Sequence, residues 1–196
     1  MKHRLICAML ILLLPACASS PPTRFFTLDP IPGSAPAGGG PSMPPVKVDA
    51  VHIPPALDRN SMVRGANGAQ LEISSEDRWA GDLGETIRRV LTQDLASRLP
   101  EGKVIGPDAP APPDARGIVI DIMTYQPQSA GEVVLDADWT LLEGTQTNPV
   151  LHRSVHLTTT AAGTAQDEAA AMSRLLGELA DRIAPAIGTG APAAGG

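Results

Sequence analysis

Apolar and polar residues alternate over residues 46–53, 132–142 and 151–159, and a period of two is the pattern of a half-buried strand. The first run stops at Pro54-Pro55, which cannot continue a hydrogen-bonded ladder. In the second, Val133, Leu135, Ala137, Trp139 and Leu141 share one face, and Glu132, Asp136, Asp138 and Thr140 share the other. In the third, Leu151, Val155 and Leu157 share a face that Arg153 interrupts. Residues 143–149 between these two runs predict an antiparallel hairpin. Residues 61–64 and 70–73 flank Gly65-Ala66-Asn67-Gly68, where Asn-Gly accepts the positive φ of a tight turn, so another hairpin is expected there. Residues 117–123 are nearly continuously apolar, which predicts a central strand covered on both faces. Arg24-Phe25-Phe26-Thr27-Leu28-Asp29 is a candidate first strand.

From Asp82 the period becomes helical, with Leu83, Ile87, Val90, Leu91 and Leu95 on one stripe. Asp82 and Glu85, three apart, match a capping box, and Leu99-Pro100 ends the helix. A second helix is predicted over 164–187, with Thr164 as cap, Met172, Leu175, Leu176, Leu179 and Ile183 on its stripe, and Pro185 to kink or finish it. Residues 30–45 are rich in Pro and Gly and are expected to form a flexible loop, and residues 188–196 a disordered tail. The order β, β, hairpin, α, β, hairpin, α predicts one α/β or α+β domain over 24–187, a mixed sheet with two amphipathic helices packed on it.

The N-terminus follows a different pattern. Met1-Lys2-His3-Arg4 is basic and residues 5–14 are almost wholly apolar, too short to cross a bilayer that needs about 20 apolar residues. Leu14-Pro15-Ala16-Cys17 then resembles the lipobox of bacterial lipoproteins. The resemblance implies cleavage after a signal peptide of residues 1–16, a diacylglycerol on the Cys17 sulfur and a lipidated tether over 17–23. Ala18, where inner-membrane lipoproteins usually carry Asp, resembles the outer-membrane type.

Charge and composition narrow the chemistry. Cleavage removes Lys2 and Arg4 and no acid, so the formal net charge goes from −6 to −8, without the basic footprint of a nucleic-acid binder. Cys7 leaves with the signal and Cys17 is modified, so the folded part contains no thiol for a disulfide, a nucleophile or a metal. His152 and His156 are four apart on a strand, about 13 Å, and cannot share an ion. His52 stands alone. Asp136 and Asp138, about 7 Å apart on one face, imitate a glycosidase pair but read as a solvated strand face. Glu76 and Asp77 read as acids favouring the start of the following helix. Neither a nucleophile elbow nor a phosphate-binding glycine loop occurs. Nothing in these patterns points to an enzyme or a cofactor.

Four segments occur in order: Phe25-Phe26-Thr27-Leu28; Val51-His52-Ile53-Pro54-Pro55-Ala56-Leu57-Asp58-Arg59; Asp77-Arg78-Trp79-Ala80-Gly81-Asp82-Leu83; and Ala137-Asp138-Trp139-Thr140-Leu141-Leu142. Together with the lipobox they resemble the PqiC/YmbA-like ABC-type transport auxiliary lipoproteins. That resemblance implies a mixed-sheet fold like the N-terminal domain of TolB. It also implies a periplasm-facing outer-membrane lipoprotein that docks an MCE-domain protein and a membrane transport partner in intermembrane lipid transport, with a homo-oligomer among its arrangements. Candidate partner contacts are Trp79 and the turn Leu57-Asp58-Arg59; the structural alternatives are a Trp79 packed under the helix start and a plain turn after two prolines. A different class of reading is an envelope-assembly lipoprotein that supports an outer-membrane β-barrel or lipopolysaccharide export machine.

Overall fold

The structure, a computed structural model, describes residues 21–33, 42–66, 69–129, 131–144 and 148–188. The signal segment, Cys17, the middle of the 30–45 stretch and residues 189–196 of the expected tail lie outside the described residues.

Among the described residues eight strands form two sheets. β1 (Arg24–Phe26), β3 (Ser61–Gly65) and β4 (Leu71–Trp79) make a three-stranded sheet in the order β1-β4-β3. β2 (Val46–His52), β5 (Val104–Ile105), β6 (Arg116–Pro127), β7 (Glu132–Leu142) and β8 (Pro149–Thr160) make a five-stranded sheet in the order β5-β2-β6-β7-β8. Both predicted hairpins are present, β3/β4 and β7/β8, each antiparallel. β2 runs parallel to β5 and β6, so the larger sheet is mixed. The architecture is therefore α+β with two sheets, where the sequence pattern predicts one.

The helices are α1 (Leu83–Ala96) and α2 (Ala165–Gly188). Asp82 caps α1, its carboxylate accepting the Glu85 amide at 2.8 Å. The capping box is only half made, because the Glu85 carboxylate turns to Arg88 at 2.7 Å. Thr164 caps α2 by accepting the Asp167 amide at 3.1 Å. The last helix continues past Pro185 to Gly188 and does not finish at the proline. Both predicted apolar stripes are buried, and the two helices pack against each other and against the five-stranded sheet.

The core lies between the helices and the inner face of that sheet, where Ile118, Ile120, Ile122, Leu135, Ala137, Trp139, Leu141 and Leu157 are buried. Tyr125 reaches from β6 to α2, its hydroxyl donating to the Met172 carbonyl at 2.8 Å. The other face of the sheet is open. β6 was expected to be covered on both sides, but Asp121 and Met123 are exposed and Val119 is half-buried. Its apolar run arises from Val119 and Met123 standing on the solvent side, not from a second layer.

Two further expectations change. β4 extends to Trp79, so Glu76-Asp77-Arg78 belongs to a strand and not to a turn ahead of the helix. The stretch 30–45 is not a free loop at its ends: the Ile31 and Gly33 amides are held by α1 and the turn that follows it, and Met43 is part of the core.

Leu175→Ala, on the buried stripe of α2, should cost about 2–5 kcal/mol in denaturant unfolding, because it opens a cavity against the sheet. A cost below 1 kcal/mol would contradict this packing.

Candidate functional site

Leu57, Asp58 and Arg59 form a turn after the two prolines. The amides of Leu57 and Asp58 both donate to the Pro54 carbonyl, at 2.8 and 3.2 Å, and the Arg59 guanidinium donates to the Ala56 carbonyl at 2.9 Å. Leu57 closes the turn from inside and is buried, while Asp58 and Arg59 are exposed. Trp79 is also buried, at the end of β4 beside Phe26 in the register. Trp79 and Leu57 are thus core residues with no surface to offer a partner, and only Asp58 and Arg59 remain accessible.

The charges that organise this end of the molecule are others. Asp77, buried on β4, accepts from Arg24 on β1 at 2.6 Å and from Arg64 on β3 at 3.2 Å. Arg64 in turn makes a fork to Glu168 on α2, with contacts of 2.6 to 2.9 Å. Two arginines and two acids therefore join all three strands of the small sheet to the last helix. Burial by itself raises the Asp77 pKa, but the hydrogen bonds from Arg24 and Arg64 outweigh it, and the net shift is downward. The hydrogen bonds to Glu168 hold Arg64 more firmly protonated. Asp77 was expected to be a helix-dipole partner; its spacing of two from Trp79 on a strand is the signal that puts both on the inner face.

The second cluster lies where the chain enters the fold. Residues 28–33 run as a strap over both helices. Leu28 is buried, the Asp29 amide donates to Ser173 Oγ of α2 at 3.1 Å, and the Ile31 amide donates to Asp94 Oδ1 of α1 at 2.6 Å. The Gly33 amide donates to Ser97 Oγ at 2.9 Å. Ile31 presses on Gly177 of α2, where an added Cβ would stand 2.8 Å from the Ile31 Cβ. Arg98 fixes the centre: its buried guanidinium donates to the Ile31 carbonyl at 2.7 Å and to the Gly177 carbonyl at 3.0 Å, and pairs with Asp181 at 2.6 Å. Asp94 is fully buried and its second carboxylate oxygen has no partner. Burial raises the Asp94 pKa to about 6, against the lowering effects of the Ile31 amide and Arg98.

Among the described residues the histidines, His52, His152 and His156, lie on the open face of the large sheet, each next to an aspartate. His52 meets Asp121 at 2.7 Å, His156 bonds Asp136, and His152 stands 4.0 Å from Asp138 and 3.0 Å from the Thr140 hydroxyl. Among the described residues no group of three His, Cys, Asp or Glu is placed to hold a metal ion. Asp136 faces His156 across the strand pair, while Asp138 faces Ser154 and meets His152 only diagonally, an arrangement of cross-strand polar pairs and not of a carboxylate dyad.

Comparison with known proteins gives a consistent picture. A family described as the ABC-type transport auxiliary lipoprotein component matches residues 26–184. No curated protein matches the chain significantly. A Xanthomonas campestris protein of the DUF330 family shares the fold with a TM-score of 0.67 at 15% identity, covering 85% of this chain and 96% of its own. Another solved protein, titled only as uncharacterized, has a TM-score of 0.66 at 21% identity, covering 86% and 98%.

Asp77→Ala leaves Arg24 and Arg64 without their shared acid and should cost about 3–5 kcal/mol, read by urea unfolding. Since the Asp77 pKa is lowered in the fold, its contribution is present above pH 4 or so and is lost only as the pH falls below that. Asp94 acts with the opposite sign. Between about pH 4 and pH 6 the folded protein keeps a proton that the unfolded chain releases, so stability falls as pH rises, by up to about 3 kcal/mol. Asp94→Asn should flatten that slope; an unchanged slope would contradict the burial of the ionised group.

Proposed function

Because the chain belongs to the family of ABC-type transport auxiliary lipoprotein components, we propose that it is held in the outer membrane by an acylated Cys17, faces the periplasm, and docks an MCE-type intermembrane lipid transport system. The family match carries the reading, since it spans nearly all of the folded part. The N-terminus supports it: a short signal and lipobox end at Cys17, four residues before the first described residue, and Ala18 follows. Several acyl chains anchor firmly where one would hold only marginally, at about 0.8 kcal/mol per buried methylene.

On this reading the protein is a positioning component and not a catalyst. Its one covalent chemistry is the acylation of Cys17. The first described residue, Pro21, is followed by β1 and the strap, so the part of the chain nearest that residue is fastened to the fold from Arg24 on. Asp58 and Arg59, fixed in a rigid turn and exposed, are polar contacts for the MCE-domain protein or the membrane transport partner.

Wild-type protein should fractionate with the outer membrane and co-purify with an MCE-domain protein after crosslinking. Cys17→Ser should keep the fold, by circular dichroism, and leave the membrane fraction. Co-purification with a β-barrel in place of an MCE-domain protein would overturn the proposal in favour of envelope assembly.

A further inference from the structure

The five-stranded sheet ends on a long edge. β8 is twelve residues long, whereas the other outer strands of the two sheets, β5, β1 and β3, have two, three and five. The Ala161 amide donates to the Gly131 carbonyl at 2.8 Å, and from Glu132↔Thr160 to Leu141↔Leu151 the β7/β8 register runs without a shift. Hydrogen-bonded and non-hydrogen-bonded pairs alternate along an antiparallel ladder, so the odd residues from Leu151 to Thr159 bond β7. The even ones, His152, Ser154, His156, Thr158 and Thr160, turn amide and carbonyl away from it.

Two arginines occupy the ends of this outward row. Arg153 donates to the His152 carbonyl at 3.3 Å, and Arg174 reaches from α2 to the Thr160 carbonyl at 2.9 Å. Both are exposed, and among the described residues neither pairs with an acid. Between them the backbone amides and carbonyls of Ser154, His156 and Thr158 meet no partner among the described residues. Unpaired edge groups are a template for another strand, and the only proline of β8 is its first residue. At the Arg174 end the edge opens into a cavity of about 320 Å³, lined by Thr160, Ala161, Asp167 and Arg174 among others.

We propose that the β8 edge from Ser154 to Thr158 takes up an extended, antiparallel segment of a partner protein, with a carboxylate at each end for Arg153 and Arg174. The inference stands apart from the Cys17 anchor. Main-chain hydrogen bonds hold such a segment, while its side chains alternate between the two faces of the sheet. Those beside half-buried Val155 and buried Leu157 are apolar, and those beside exposed Ser154, His156 and Thr158 are polar. Arg153 and the Arg174 contact at Thr160 are seven residues apart, about 23 Å at ~3.3 Å per residue, which sets the spacing of the carboxylates. A second copy of β8 matches the backbone but not the arginines, because Pro149–Thr160 contains no Asp or Glu. The net charge of −6 disfavours a wholly acidic segment, so the carboxylates belong only beside the arginines.

The test is binding of the fluorescein-labelled peptide Glu-Thr-Thr-Val-Thr-Val-Thr-Glu to the full-length protein, read by anisotropy and by hydrogen exchange. Bound peptide should slow exchange at the amides of Ser154, His156 and Thr158 by about tenfold or more. Replacing both Glu of the peptide by Gln, or combining Arg153→Glu with Arg174→Glu, should weaken binding by about fivefold. Ser154→Pro removes an outward amide and leaves the ladder to β7 intact, so it should abolish binding and keep the wild-type circular dichroism. No saturable binding, or binding without slowed exchange at these three amides, overturns the inference. Equal affinity for the Glu and Gln peptides overturns it as well. A dimer in sedimentation equilibrium that Ser154→Pro dissociates places a second copy on the edge and also overturns it. None of these outcomes bears on acylation of Cys17.

Discussion

A guanidinium buried between two helices decides how the start of this chain meets the rest. Arg98 donates to the carbonyls of Ile31 and Gly177 and pairs with Asp181, so one side chain ties the entering segment to both α1 and α2. Hydrogen bonds from a charged donor are worth roughly 1.5–3 kcal/mol each. Burying that charge is tolerable only because nearly every donor finds an acceptor at 2.6–3.0 Å. Asp94, one turn earlier on α1, is the less settled member: it receives the Ile31 amide, but its other oxygen is bare. The strap is thus held by one satisfied charge and one that is better protonated.

The ion network around Asp77 plays the corresponding role for the small sheet. β1 is only three residues long and pairs along one edge, too little to hold a strand by itself. Arg24 gives it a second attachment, to the acid that Arg64 and Glu168 link onward to α2. With the strap following at once, the segment from Arg24 to Gly33 is fastened to β4, α1 and α2 in turn.

Periodicity made the local elements legible. Both hairpins, both helix stripes and the caps at Asp82 and Thr164 depend on residues within one or two turns of each other, and each stands where the pattern places it. What escaped depends on partners far along the chain. Asp77 finds Arg24 at a separation of 53 residues, and Arg64 finds Glu168 at 104, so neither partner is visible in a local window. The strap hides behind its composition, since Pro30, Ile31, Pro32 and Gly33 look like linker until Asp94, Ser97 and Arg98 are set beside them. Proline also lowers the entropy lost on docking, which composition alone does not reveal. Trp79 and Leu57 looked like contact residues because they stand beside charges; strand alternation and the closed turn place both inside. The lipobox resemblance at Leu14-Pro15-Ala16-Cys17 is by contrast a purely linear pattern, and it lies outside the described residues.

The central claim is that the segment from Arg24 to Gly33 is an integral part of the fold. Hydrogen–deuterium exchange on the full-length protein tests it directly, at the amides of Asp29, Ile31 and Gly33. The account predicts protection of Asp29 and Ile31 comparable to the buried strands β6 and β7, with Gly33, nearer solvent, somewhat faster. Exchange of all three at the rate of an unstructured peptide would contradict it.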